Sequence, residues 1–169
     1  MVGAHGIPLA WNRRLMVEAA RIRYMAGEEH PSPEPTRILI VDAYGHSREG
    51  LSASLRGGGF VVETASGSWE AVKKVKEGRF GLAIIDLDLP PAHGVAVSGW
   101  DLARIFRAFH CDAAVILVTA DWRPELKAEA ERLPRLRLVE KPVSPAELRA
   151  MVKALEAEHG ARPNTPDRS

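Results

Sequence analysis

The sequence predicts an open, doubly wound α/β sheet: five parallel strands with helices on both faces. Two observations carry this. Short runs rich in aliphatic and β-branched residues alternate five times with helical stretches of about ten residues, which reads as successive βα units. Three of the runs, the first, third and fourth, are nearly continuous in apolar residues, as expected of strands covered on both faces rather than one.

Residues 1–36 stand apart from this pattern. In "LAWNRRLMVEAARIRYMAG", Trp11, Leu15, Ala19, Ile22 and Met25 recur three or four apart, which predicts a helix with a narrow apolar stripe. Arg13, Arg14, Glu18 and Arg21 fill its other side, and Gly27 is a natural stop. So thin a stripe leaves an isolated helix marginal, and packing on the main domain, dimerisation and partner docking all stay open. "EEHPSPEPT" then places Pro31, Pro33 and Pro35 in five residues, an extended linker.

The first strand is "ILIV" (38–41), followed by a helix over Ser47–Arg56 that stops at the glycines of "RGGGF". The second, "FVVET" (60–64), leads into a helix over Ser68–Glu77. The third, "LAIID" (82–86), is followed by a helix over Gly99–Phe109, and the fourth, "AVILVT" (114–119), by one over Pro124–Leu133. The fifth, "LRLVE" (136–140), precedes a helix over Ser144–Glu158 whose Leu148, Met151, Val152 and Leu155 form a core stripe. "ARPNTPDRS" reads as a disordered tail. The organisation expected is a helix and linker over 1–36, one domain over 37–158 and a tail over 159–169.

With 23 basic and 22 acidic residues and a net charge of +1, nothing draws the whole chain toward nucleic acid or an anionic membrane. No apolar run approaches the roughly 20 residues that span a bilayer, and no signal peptide is evident. The single cysteine, Cys111, excludes an internal disulfide and reads as a part-buried small side chain. A cytoplasmic location follows as the expectation. The histidines His46 and His93 have no metal-ligand spacing and read as solvated loop residues, and Trp69, Trp100 and Trp122 read as packing residues.

In sheets of this class the functional crevice lies at the carboxyl ends of the strands. There the first strand ends in Asp42, the third in Asp86 and Asp88, the fourth in Thr119 and Asp121, and the fifth in Glu140 and Lys141. Any one of these could cap the following helix. Together they suggest more, because carboxylates on neighbouring strands repel unless a cation neutralises them. Oxygen-only ligation suits Mg²⁺. A carboxylate nucleophile, a metal, a hydroxyl and a lysine are the parts needed to accept and hold a phosphoryl group.

With "ILIVDAYGHSREGL", "LAIIDLDLP", "VILVTA" and "EKPVSPAEL" in that order, the sequence resembles the receiver domain of bacterial two-component response regulators over about residues 37–157. The resemblance implies the flavodoxin-like strand order 2-1-3-4-5. It also implies Asp86 as phosphoacceptor, Thr119 as switch hydroxyl, Lys141 as the phosphoryl-contacting lysine and a cis Lys141–Pro142 bond. Asp42, Asp86 and Asp88 would be the metal set, with Arg48 anchoring the match six residues after Asp42. A histidine kinase or phosphotransfer protein would supply the phosphoryl group. The tail after 158 is too short to fold as a DNA-binding unit, so the expectation is a stand-alone regulator acting on a downstream protein, without nucleic acid or membrane, and with a homodimer open.

Three departures qualify the resemblance. Ala43 stands where the family usually has a second acid that touches the metal, so Mg²⁺ binding should be weak. The segment "PPAHGVAVSGW" is longer than the family's usual turn: a lid, a partner contact or a tolerated surface insertion. Leu138 stands where most receivers place a switch aromatic. Ala43 and Leu138 favour an alternative, a phosphorylation-independent pseudo-receiver that serves as a binding module. "IIDLDLP" also resembles the D-x-D loop of haloacid-dehalogenase-type phosphatases, but Pro90 and the preceding βα unit with Asp42 argue against that reading. The chain is therefore expected to be a signalling module, not an enzyme.

Overall fold

The computed structural model describes residues 35–91 and 97–160. The N-terminal helix and most of the linker, the segment with His93, and residues 161–169 lie outside the described residues.

Five strands, β1 (Arg37–Val41), β2 (Val61–Ala65), β3 (Leu82–Asp86), β4 (Ala114–Thr119) and β5 (Leu136–Glu140), alternate with α1 (Gly45–Gly57), α2 (Ser68–Glu77), α3 (Gly99–Phe109), α4 (Pro124–Glu131) and α5 (Pro145–Gly160). All neighbouring strands pair in parallel, in the order β2-β1-β3-β4-β5. Right-handed crossovers explain which face each helix takes. The chain steps one way from β1 to β2 and then reverses toward β3, β4 and β5, so α1 covers one face and α2, α3 and α4 the other. After β5, α5 returns to the face of α1.

Strand alternation divides the core accordingly. Leu39, Val41, Ala83, Ile85, Val115 and Leu117 pack toward Ala71, Val75, Leu102, Phe106 and Ala130 of α2, α3 and α4. Ile38, Ile40, Ile84, Ile116 and Val118 pack toward Leu51 and Leu55 of α1 and Leu148, Val152 and Leu155 of α5. The expectation that the first, third and fourth strands are covered on both faces holds, since every residue of β3 and β4, and all of β1 after Arg37, is buried.

Local chemistry sets several ends. The Ser98 hydroxyl accepts from the Asp101 amide at 3.1 Å while Asp101 Oδ2 accepts from the Ser98 amide at 3.3 Å, a reciprocal cap that starts α3. Ser144 and Glu147 exchange the same pair of bonds at the start of α5. Gly58 caps α1, and Gly59, with φ +91°, makes the left-handed turn into β2.

Two expectations are corrected. Cys111 is exposed, because the turn between α3 and β4 carries it away from the sheet. Trp69 is 71% exposed and Trp122 37%; only Trp100 of the three packs against the core. Trp69 sits on the solvent side of α2, whose buried residues are Ser68, Ala71 and Val75.

Candidate functional site

The order reversal between β1 and β3 leaves a crevice at the carboxyl ends of the strands. Asp86 is the last residue of β3 and is 3% exposed. Its Oδ1 accepts from the Asp88 amide at 2.8 Å, so the chain after β3 curls around the carboxylate. Its Oδ2 accepts from Lys141 Nζ at 2.8 Å. Lys141 follows β5, and its own amide donates to the Thr119 carbonyl at 2.8 Å, extending the β4–β5 ladder by one bond. The Lys141–Pro142 bond is cis, as expected.

Thr119 ends β4 and is buried. Its Oγ1 donates to Asp88 Oδ1 at 3.2 Å and accepts from the Asp121 amide at 3.0 Å. Asp88 Oδ2 accepts from the Ala120 amide at 2.8 Å and from Lys141 Nζ at 3.4 Å. Burial works to raise the Asp88 carboxyl, but the Ala120 amide, the Lys141 charge and the Thr119 hydroxyl outweigh it and hold its pKa below the ordinary aspartate value. Burial works against the Lys141 ammonium, but the hydrogen bond to Asp86 and the charges of Asp86 and Asp88 outweigh that and raise its pKa.

Asp42 follows β1 and stands apart from this cluster. Its Oδ1 accepts from the Tyr44 amide at 2.8 Å, and its carbonyl accepts from Arg48 at 2.6 Å. The residue at the start of α1 is Tyr44, so Asp42 is not that helix's cap. Asp42, Asp86 and Lys141 border a cavity of about 470 Å³ lined below by Leu51, Ile84 and Leu148, between α1 and α5.

A family model described as the response regulator receiver domain matches residues 38–153. The chain belongs to that family. The receiver is 30% identical over 119 residues to the transcriptional regulatory protein CusR of Escherichia coli, covering 70% of this chain and 50% of CusR. It is 32% identical to the probable transcriptional regulatory protein SilR of Salmonella typhimurium, with the same coverage. The chain thus spans about half the length of the curated relatives it matches. A CheY-like receiver domain protein from Methanospirillum hungatei superposes with a TM-score of 0.67 at 25% identity, covering 76% of this chain and all of that one. CheY4 of Vibrio cholerae gives 0.63 at 24%, covering 72% and 98%.

Receivers in general bind Mg²⁺ at the phosphorylation site. Among the described residues, no three acidic, histidine or cysteine side chains gather where they could hold a metal ion. Five of the six carboxylate oxygens of Asp42, Asp86 and Asp88 already accept protein donors. The sequence reading put Asp88 with Asp42 and Asp86; the structure turns its carboxylate toward Thr119, Ala120 and Lys141.

Two participants were missed in the sequence. The Ala120 amide is a backbone donor, which no residue type announces. Gly99 opens α3 against the turn after β3: a Cβ there would lie 2.6 Å from the Asp86 carbonyl oxygen and 2.8 Å from Leu87 Cα. That glycine lets α3 approach the backbone that carries Asp86. The only signal was a glycine at the first position of an otherwise apolar-striped helix, "SGWDLARIF".

Proposed function

We propose that this receiver accepts a phosphoryl group on Asp86 from a histidine kinase or phosphotransfer protein, in the cytoplasm, and signals by contact with a downstream protein. The observation that carries this reading is the buried Asp86 carboxylate with the Lys141 ammonium 2.8 Å away, next to the Thr119 hydroxyl at the end of the adjacent strand. An Asp86 oxygen forms the new bond to phosphorus as the phosphorus–nitrogen bond of the donor's phosphohistidine breaks. The electron pair stays on the imidazole nitrogen, and the product is an aspartyl phosphate. The modification adds about −1.5 to −2 charge, which Lys141 and Thr119 are placed to meet. The resulting bias on a two-state surface would be roughly 1–3 kcal/mol.

Incubation with phosphoramidate and Mg²⁺, followed by intact-mass measurement, tests this. One phosphoryl adduct is expected on the native chain and none on Asp86→Asn. An adduct that survives in Asp86→Asn would move the site elsewhere. No adduct at all would favour the pseudo-receiver, a reading that rests on Ala43 in place of a carboxylate and Leu138 in place of an aromatic.

Weak Mg²⁺ binding is part of the proposal, because the position after Asp42 contributes only a methyl group. Ala43→Asp is expected to tighten Mg²⁺ binding by about 10-fold or more, read by calorimetry, since a lost direct ligand should cost at least what outer-shell losses do. Unchanged affinity would mean that the site departs from the family in more than this one residue.

A further inference from the structure

The carboxylate of Asp88 sits among three donors, two from adjacent residues at the end of β4 and one from the residue after β5. They are the Thr119 hydroxyl at 3.2 Å, the Ala120 amide at 2.8 Å and the Lys141 ammonium at 3.4 Å. A hydroxyl, an amide and an ammonium converging on one point make a pocket for an oxyanion. Here the anion is already supplied, on a tether. The Asp88 amide is fixed to Asp86 Oδ1 at 2.8 Å and the Leu87 amide to the Val118 carbonyl at 2.8 Å, so the backbone that aims this side chain is held at two points.

We propose that Asp88 is a built-in occupant of the Thr119–Ala120–Lys141 pocket, and that it sets how readily an external tetrahedral oxyanion enters. The consequence for Asp86 chemistry rests on the phosphoacceptor reading above; the occupancy itself does not. Two features give this content. First, the pocket is self-satisfied: Thr119 Oγ1 both donates to Asp88 and accepts from the Asp121 amide, so an incoming oxyanion gains these donors only by displacing the carboxylate. Second, displacement is feasible, because the Asp88 side chain is 35% exposed and can swing to water without moving the sheet. Asp88 is then a positioning residue. It holds the Thr119 hydroxyl turned toward the site before any modification, and it competes with the phosphoryl oxygens that would take the same donors.

The probe is sulfate, which occupies an oxyanion pocket and transfers nothing. Sulfate is titrated into the ¹⁵N-labelled full chain while the Ala120 amide resonance is followed. The native chain is expected to show little saturable shift. Asp88→Ala, which empties the pocket, is expected to bind at least about 10-fold more tightly, with the shift centred on Ala120. Asp88→Asn, of nearly the native shape, guards against a folding defect and should shift in the same direction. Asp121→Asn removes one negative charge from the same rim, where Asp121 pairs with Arg123 at 3.1 Å, without emptying the pocket. An equal gain there would reduce the effect to net charge and overturn the proposal. So would equal sulfate affinity in the native chain and both Asp88 variants.

Phosphoramidate labelling of the same proteins separates the two readings. Sulfate binding gained in Asp88→Ala with no adduct on Asp86 would sink the phosphoacceptor reading and leave the occupant standing. An adduct on the native chain with unchanged sulfate affinity in the variants would do the reverse.

Discussion

Lys141→Ala is expected to slow phosphoramidate labelling of Asp86 by about 10²–10³-fold, the usual cost of removing one donor aimed at developing negative charge. The Lys141 ammonium lies 2.8 Å from Asp86 Oδ2 and 3.4 Å from Asp88 Oδ2, so it is the cation both carboxylates share. Phosphoryl transfer brings further oxyanions to Asp86, which is 3% exposed and poorly served by water. Without the ammonium, an incoming phosphoryl donor meets Asp86 and Asp88 unneutralised. Lys141→Arg keeps the charge but exchanges a compact ammonium for a planar fork, and should recover the rate only in part. The pH dependence has a definite sign. The folded-state pKa of Lys141 is raised above its ordinary 10.5, so the ion pair's contribution to stability is complete below that value and is lost only as pH rises through the folded value. Labelling by intact mass against time, with circular dichroism as the check on folding, measures the effect. A near-native rate would reduce Lys141 to a structural ion pair.

Phe106→Ala is expected to destabilise the receiver by about 3–5 kcal/mol in chemical denaturation. Phe106 is fully buried on α3, against β3 and β4, with ring centroids 6.4 Å from Phe80 and 5.0 Å from His110. Removing the ring leaves a cavity under three elements at once, and the neighbours can close it only by moving α3, whose first turn abuts the backbone of Asp86 and Leu87. The same substitution should alter acid sensitivity. Burial lowers the His110 pKa and outweighs the Val75 carbonyl, which accepts from its ring nitrogen at 3.2 Å and pulls the other way. A depressed folded-state value means that the unfolded chain takes up the proton first. Stability from this site is therefore present above pH 6.5 and declines as pH falls through 6.5 toward the folded value. Phe106→Ala lets water reach the imidazole, so the stability difference between variant and native chain should narrow at low pH. A loss under about 1 kcal/mol would mean that α3 repacks freely, against the cost usual for a buried aromatic.

What the sequence determined by itself was local and periodic. "ILIV" is apolar throughout and "LAIID" and "AVILVT" are apolar up to their last residue, and a strand with no polar face must lie between two layers of helices. Asp86 and Thr119 were legible for the same reason, because a polar residue that closes such a run emerges at the carboxyl edge wherever the strand pairs; Lys141 was legible only as the residue after the fifth, mixed strand. The exposure of Cys111 and Trp69 was not legible: it depends on how far a turn carries a residue from the sheet and on which side of a short helix faces water.

Only the tertiary structure decided where Asp88 points and why Gly99 is there. Asp88 is two residues from Asp86, and spacing alone leaves its carboxylate free to face Asp42 or Thr119. The register that sets Asp86 opposite Val118 and Thr119 opposite Glu140 brings Thr119, Ala120 and Lys141 within its reach, and three donors outweigh repulsion from Asp86. Gly99 answers to the backbone of Asp86 and Leu87, thirteen and twelve residues earlier in the chain. Periodicity reports which face of an element is buried; contacts made across strands and turns exist only once pairing and packing have set the distances.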